Sequence, residues 1–159
     1  MASFLQNRQV GDKGESFTLG YLYGSSPKGA VIESVSEYHP GAYRWNGRRL
    51  PDFLVTEGEK KTLVEVKCKQ GFRGKMNICS GQIDDYLFVA REKGYDFYLL
   101  FFFMQDGFIY KLSPADLANP TDSFRDKEGK TVLLFDTEGK EKLSQKIPPS
   151  IFNSDILKW

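Results

Sequence analysis

Histidine occurs once in these 159 residues, at His39, and cysteine twice, at Cys68 and Cys79. One histidine leaves a His-based catalytic triad or zinc site without its parts. Two cysteines supply neither a disulfide framework nor metal-ligand spacing. No apolar run approaches the ~18 residues of a membrane span. The longest, Phe97 to Met104, has eight. The amino terminus, MASFLQNRQVGDKGE, has no apolar secretory core, so a cytoplasmic, intracellular protein is expected. Internal repeats, low-complexity stretches and a Gly-Lys-Ser/Thr phosphate loop are also missing.

What remains is an ordinary globular composition, 40% hydrophobic and 27% charged. It is enough for one domain with one sizeable core. Net charge is only +1, weak support for a nucleic-acid partner. Its distribution says more. From Arg44 to Lys75 there are nine Lys and Arg against four Asp and Glu; elsewhere there are 13 against 17. A local basic excess suits a phosphate backbone, though a charged hairpin tip would produce the same excess.

That basic region contains RRLPDFLVTEGEKKTLVEVKCK, Arg48 to Lys69. Two apolar runs, Leu50 to Thr56 and Lys61 to Cys68, flank a polar turn with Gly58 and predict a β-hairpin. Strand periodicity puts Leu63, Glu65 and Lys67 on one face and Val64, Val66 and Cys68 on a core face. Asp52 and Glu65 are then carboxylates on paired strands. Hard oxygen donors of this kind suit Mg²⁺, with Mn²⁺ as a substitute, and the Val66 carbonyl is a further possible ligand. Lys67 would stand beside metal-bound water, placed to orient or deprotonate it or to stabilise charge on a phosphate. The plainer alternative is a surface hairpin with a Glu-Lys cross-pair.

Pro51-Asp52…Glu65-Val66-Lys67 resembles the signature of the PD-(D/E)xK nuclease superfamily. The resemblance implies a restriction-endonuclease-like α/β fold: a single domain whose mixed central sheet is flanked by helices. It also implies metal-dependent cleavage of phosphodiester bonds, on DNA ahead of RNA. Relatives resembling Holliday-junction resolvases carry a site Glu on an N-terminal helix. Glu15, in the helix expected from Gln6 to Tyr23, occupies the matching place. On local grounds alone, Glu15 is simply a carboxylate near a helix start. A second helix is expected from an N-cap at Ser80 to Lys93, ended by Gly94. It places Gln82 and Tyr86 on one face. In order after Glu-x-Lys, this pair resembles the extra motif of RecB-like and lambda-exonuclease-like nucleases. There the Gln contacts the site and the Tyr supports it or the DNA. An ordinary amphipathic helix would look the same.

The remaining expectations concern the surroundings. Ala30 to Ser36 is expected as the first strand, and Glu37 to Gly47 as irregular. There Tyr43, Arg44 and Trp45 would stack on splayed bases or cover a sheet edge. His39 is a loop residue with substrate contact as the alternative. Gln70 to Lys75 is expected as a mobile, basic loop. Arg44, Arg48, Arg49, Lys69, Arg73 and Lys75, with Tyr86, are the candidate substrate contacts. Asp84 and Asp85 are expected in solvent. Asp96 to Met104 reads as a central strand, Gln105-Asp106-Gly107 as a turn, and Phe108 to Leu112 as the returning strand. Ser113-Pro114 opens a short helix. The nuclease-like core is placed at about residues 6–118. The extension 119–159 has one clear strand, Thr131 to Asp136, and a terminal apolar segment for packing or a dimer contact.

The function expected is a Mg²⁺-dependent deoxyribonuclease, monomer or homodimer, with no membrane partner. Two alternatives stay open: a non-enzymatic nucleic-acid- or protein-binding module on the same fold, and a structure-selective resolvase.

Overall fold

The computed structural model describes residue 20, residues 28–35 and residues 44–143. Glu15 and most of the segment expected as a helix from Gln6 to Tyr23, together with His39, Tyr43 and the terminal segment 144–159, lie outside the described residues. In chain order the described elements are β1 (Val31–Ser34), β2 (Arg44–Trp45), β3 (Arg48–Arg49), β4 (Phe53–Glu57), β5 (Lys60–Lys69) and β6 (Met76–Cys79). Then come α1 (Ser80–Lys93), β7 (Asp96–Phe103), β8 (Phe108–Leu112), α2 (Pro114–Leu117), β9 (Asp122–Arg125), β10 (Thr131–Phe135) and β11 (Glu141–Lys142).

The expected hairpin is β4–β5, paired antiparallel from Phe53↔Val64 to Glu57↔Lys60. Its turn is tighter than the five polar residues suggest. Thr56, Glu57 and Lys60 all join the ladder, leaving Gly58 at φ 61° and Glu59 to reverse the chain. β5 then runs parallel to β7, with Glu65 opposite Leu99. A parallel pair needs a long crossover, and β6 with α1 supplies it. The main sheet has the order β1-β4-β5-β7-β8-β11, all other pairs being antiparallel.

Period-two alternation divides the core between the two faces of this sheet. Leu63, Leu99, Phe101 and Phe103 pack against Ile83, Tyr86, Val89 and Ala90 of α1. Val64, Val66 and Cys68 pack with Leu100, Phe102, Phe53 and Ile109 on the opposite face. β7 is buried on both faces, as its unbroken apolar run predicts. The overall architecture is the mixed α/β domain expected.

Several local expectations need correction. The irregular stretch before the hairpin contains the small β2–β3 ribbon. Its turn is Asn46-Gly47, with φ 50° and 76°, the left-handed pair that two-residue hairpins require. The residues after the basic glycine-rich segment form β6, which pairs with β10; β9 completes a second sheet of order β6-β10-β9. Among the described residues beyond residue 118 there are thus three strands, not one. β10 is no appendage: Phe135 is fully buried in the same cluster as Tyr86. Ser80 is the first helical residue, not the N-cap. Cys79 takes that place in extended conformation, with no side-chain cap. At the other end, Gly94 closes α1 in the left-handed conformation (φ 70°). The Ser113 cap of α2 forms as expected, completed by Asp116 as a capping box.

Candidate active site

Asp52 immediately precedes β4, after Pro51, and Phe53 is the last β4 residue to pair with β5. Asp52 therefore sits at the end of the ladder, level with Glu65. The Asp52 backbone N–H donates to Glu65 Oε1 (3.2 Å). The Val66 N–H donates to Asp52 Oδ2 (2.9 Å). Each carboxylate is thus held by the other strand's main chain. Within a strand residue the C=O leaves on the same side as the N–H. The Val66 carbonyl is accordingly directed towards Asp52, past the last β4–β5 pair.

Glu65 is only 3% exposed. A carboxylate so buried needs partners. Its Oε2 accepts the Tyr86 hydroxyl (2.8 Å) and lies 2.9 Å from Lys67 Nζ. Burial works against charge on the Lys67 amine, but the Glu65 carboxylate, with Asp52 behind it, more than offsets this. The pKa of Lys67 lies above the usual lysine value, so the group is an ammonium at neutral pH. Burial, followed by the Glu65 charge, pushes the Tyr86 hydroxyl far up and keeps it a donor. Lys69, next on the same face, has the opposite fate. Burial and then Lys67 bring it down to about 8, and its Nζ donates to the Asn77 carbonyl (3.2 Å).

Asp52, Glu65, Lys67 and Tyr86 are therefore brought together, as the sequence pattern predicts. Gln82 lies one helical turn before Tyr86, and its buried Oε1 has no hydrogen-bond partner. Cys68 points to the opposite, apolar face, where burial raises its thiol to about 12 and removes it as a ligand. Among the described residues no cluster of three or more His, Cys, Asp or Glu side chains is placed to hold a metal. The oxygens that could serve as donors are two carboxylates and one main-chain carbonyl, a hard set that suits Mg²⁺ or Mn²⁺ rather than a softer ion.

The other candidate contacts are dispersed. Asp85, expected in solvent, is 8% exposed. It receives Arg48 Nη1 (3.3 Å) and the Arg49 backbone N–H (3.3 Å). The Arg49 Nε is 3.2 Å away, an ion pair without hydrogen-bond alignment. These arginines dock β3 on α1, where Arg48 also covers Phe88 (4.6 Å to the ring centroid). The signal for Asp85 is its i+3 spacing from Gln82 and i+4 spacing to Val89, which sets it on the helix's inner face. Arg44 donates to the Gly47 carbonyl of its own turn. Lys75 pairs with Asp136 (2.7 Å). The loop carrying Arg73 and Lys75 is a closed turn, with reciprocal Phe72–Lys75 backbone hydrogen bonds of 2.9 and 3.0 Å. Sequence reasoning missed Asn77 and Ser34, whose side-chain oxygens are buried without partners. Ser34 flanks the site: it pairs with Phe53, and the neighbouring Val35 N–H donates to the Asp52 carbonyl.

No family model and no curated protein matches the sequence. Among solved structures, the chain is similar to the Holliday junction resolvase Hjc of the archaeal hyperthermophile Archaeoglobus fulgidus. The TM-score is 0.52 at 14% identity, over 78% of this chain and 88% of that one. At that identity the likeness is one of fold. The mixed sheet with its flanking helix is thus a fold like that of this structure.

Proposed function

We propose that this chain is a metal-dependent nuclease that hydrolyses DNA phosphodiester bonds at the end of the β4–β5 ladder. The observation that carries the reading is the meeting of Asp52, Glu65 and Lys67 at one point, with Tyr86 buttressing Glu65. Asp52, Glu65 and the Val66 carbonyl would hold Mg²⁺, with Glu15 as a further candidate ligand. When bound, the ion would polarise the phosphoryl oxygen and lower the pKa of its water.

The chain's own groups do the rest. Lys67, held as a cation by Glu65 in the metal-free site, would orient the attacking water or stabilise negative charge developing on the phosphoryl oxygens. Tyr86 keeps Glu65 in one orientation and stays protonated while doing so. Gln82, one helical turn before Tyr86, would offer its unpaired carbonyl oxygen to a water or a sugar hydroxyl. The test is cleavage of linear, branched and single-stranded DNA across a Mg²⁺ titration, beside Asp52→Asn and Lys67→Met. The reading requires metal-dependent cutting by the wild type and its loss in both variants. Undiminished cutting by either variant removes the assignment.

A second reading, a structure-selective resolvase, is favoured by the likeness to Hjc. A resolvase acts on a two-fold junction and calls for a symmetric dimer. A four-way-junction assay with light scattering separates it from a nuclease acting on strand ends.

A further inference from the structure

Lys69 stands two residues beyond Lys67 on the same face of β5. Glu65 neutralises Lys67 at 2.9 Å. Lys69 has no such acid: among the described residues it enters no ion pair. Its Nζ donates to a neutral acceptor, the Asn77 main-chain carbonyl of β6 (3.2 Å). Across the ladder to β7 it is paired with Phe103, an apolar ring. An ammonium in such a setting gives up hydration and gains no counter-ion, which costs stability. The charged and titratable groups that act on it are Lys67 and Glu65 on its own strand and Cys79 at the end of β6. Burial and then Lys67 prevail, and its pKa falls to about 8.

A charge kept at a cost beside a reaction centre points to a ligand that supplies the missing partner. Strand residues two apart advance about 6.6 Å. One DNA strand presents a phosphate for about every 3.4 Å of helix axis. A strand whose scissile phosphate meets Lys67 therefore brings a flanking phosphate within reach of the next lysine. Lys69 is only partly buried, so that contact is open to it.

We propose that Lys69 anchors a phosphate flanking the scissile one, and takes up a proton from solution as the nucleic acid binds. The inference rests on the nuclease reading and deepens it, adding a second phosphate contact to the same strand face. A phosphate beside Nζ is the counter-ion that the fold does not provide. The complex then holds the ammonium to higher pH than the free protein does. By linkage, affinity weakens as pH rises through the free-state value. Lys67, already paired with Glu65, has no such proton to gain near neutral pH.

The experiment measures affinity for a fluorescein-labelled tailed DNA duplex in EDTA, without cleavage, at pH 7 and pH 9. Wild type and the Lys69 variants are compared, each also with Cys79→Ser to remove the thiol's own titration. Wild type should bind about tenfold more weakly at pH 9 than at pH 7. Lys69→Arg is charged at both and should lose that difference. Lys69→Met should bind about tenfold more weakly at pH 7, and its slope of log affinity against log salt should shrink by about one. Removing a buried charge leaves the fold at least as stable, so such a loss is not one of folding. If Lys69→Met keeps the wild-type affinity and salt slope, or Lys69→Arg keeps the wild-type pH dependence, the anchor is overturned. The nuclease reading then survives on its metal-dependent cleavage. A wild type that cuts in Mg²⁺ without measurable affinity in EDTA overturns the anchor alone. A wild type that neither binds nor cuts this DNA overturns both.

Discussion

The Tyr86 hydroxyl donates to Glu65 Oε2 at 2.8 Å, joining α1 to β5 across 21 positions of chain. This bond fixes the orientation of a carboxylate that is almost wholly buried. Tyr86→Phe removes the donor and leaves the ring packing on Phe97 intact. The expected cost is about 1.5–3 kcal/mol, as for a hydrogen bond to a charged acceptor. Urea denaturation measures it. Cleavage should fall further than stability accounts for, because Glu65 loses its fixed rotamer.

Lys67→Met leaves the Glu65 charge buried without its cation. The single change should destabilise the fold by about 3–5 kcal/mol. Adding Glu65→Gln removes the stranded charge and should recover most of that loss. The double variant would be folded and inactive. Recovery of stability without recovery of cleavage identifies a pair retained for function.

Lys69 supplies a pH-dependent stability with a definite sign. Its folded pKa of about 8 lies below the ordinary 10.5, so the unfolded chain binds more protons between those values. Stability contributed at this position therefore rises with pH from about 8 to 10.5. Lys67 works in the opposite sense. Its folded pKa is raised, so its contribution is full below the ordinary value and is lost as pH climbs through the folded pKa. Lys69→Met should accordingly be more stabilising, relative to wild type, at pH 7 than at pH 10. Denaturation midpoints of the two proteins at both pH values check the sign.

Asp85→Ala removes the carboxylate that both Arg48 and Arg49 approach. The arginine side chains are about two-fifths exposed, so water offsets much of the loss. A destabilisation of about 1–2 kcal/mol is expected. Hydrogen exchange should quicken at β2–β3 and leave β7 unchanged.

The parts of this molecule visible in its sequence are those set by short-range rules. β4 and β5 announce themselves by apolar runs around Gly58, and β7 by eight apolar or aromatic positions in a row. α1 and α2 are bounded by Gly94 and Ser113. The Asp52–Glu65–Lys67 grouping follows from that hairpin alone, because the register of two adjacent strands sets it. What the sequence concealed depends on distant partners. β6 has four residues and no turn chemistry of its own; it is a strand because β10, more than fifty residues later, pairs with it. The same pairing explains why Phe135 reaches the core. Asp85 was misplaced because a carboxylate beside another carboxylate reads as solvated, whereas its arginines lie 36 and 37 residues upstream. The Asn46-Gly47 ribbon was missed despite a local signal.

The central claim is that two acids and an ammonium at the end of one ladder cut phosphodiester bonds with a divalent ion. The most direct measurement is the cleavage rate of end-labelled tailed and four-way-junction DNA in Mg²⁺, for wild type and for Asp52→Asn, with Tm recorded for each. The account predicts cutting by the wild type that disappears in EDTA. It also predicts a loss of at least about a thousandfold in the variant at nearly unchanged Tm. Equal cutting by both proteins, or cutting that persists in EDTA, would contradict it.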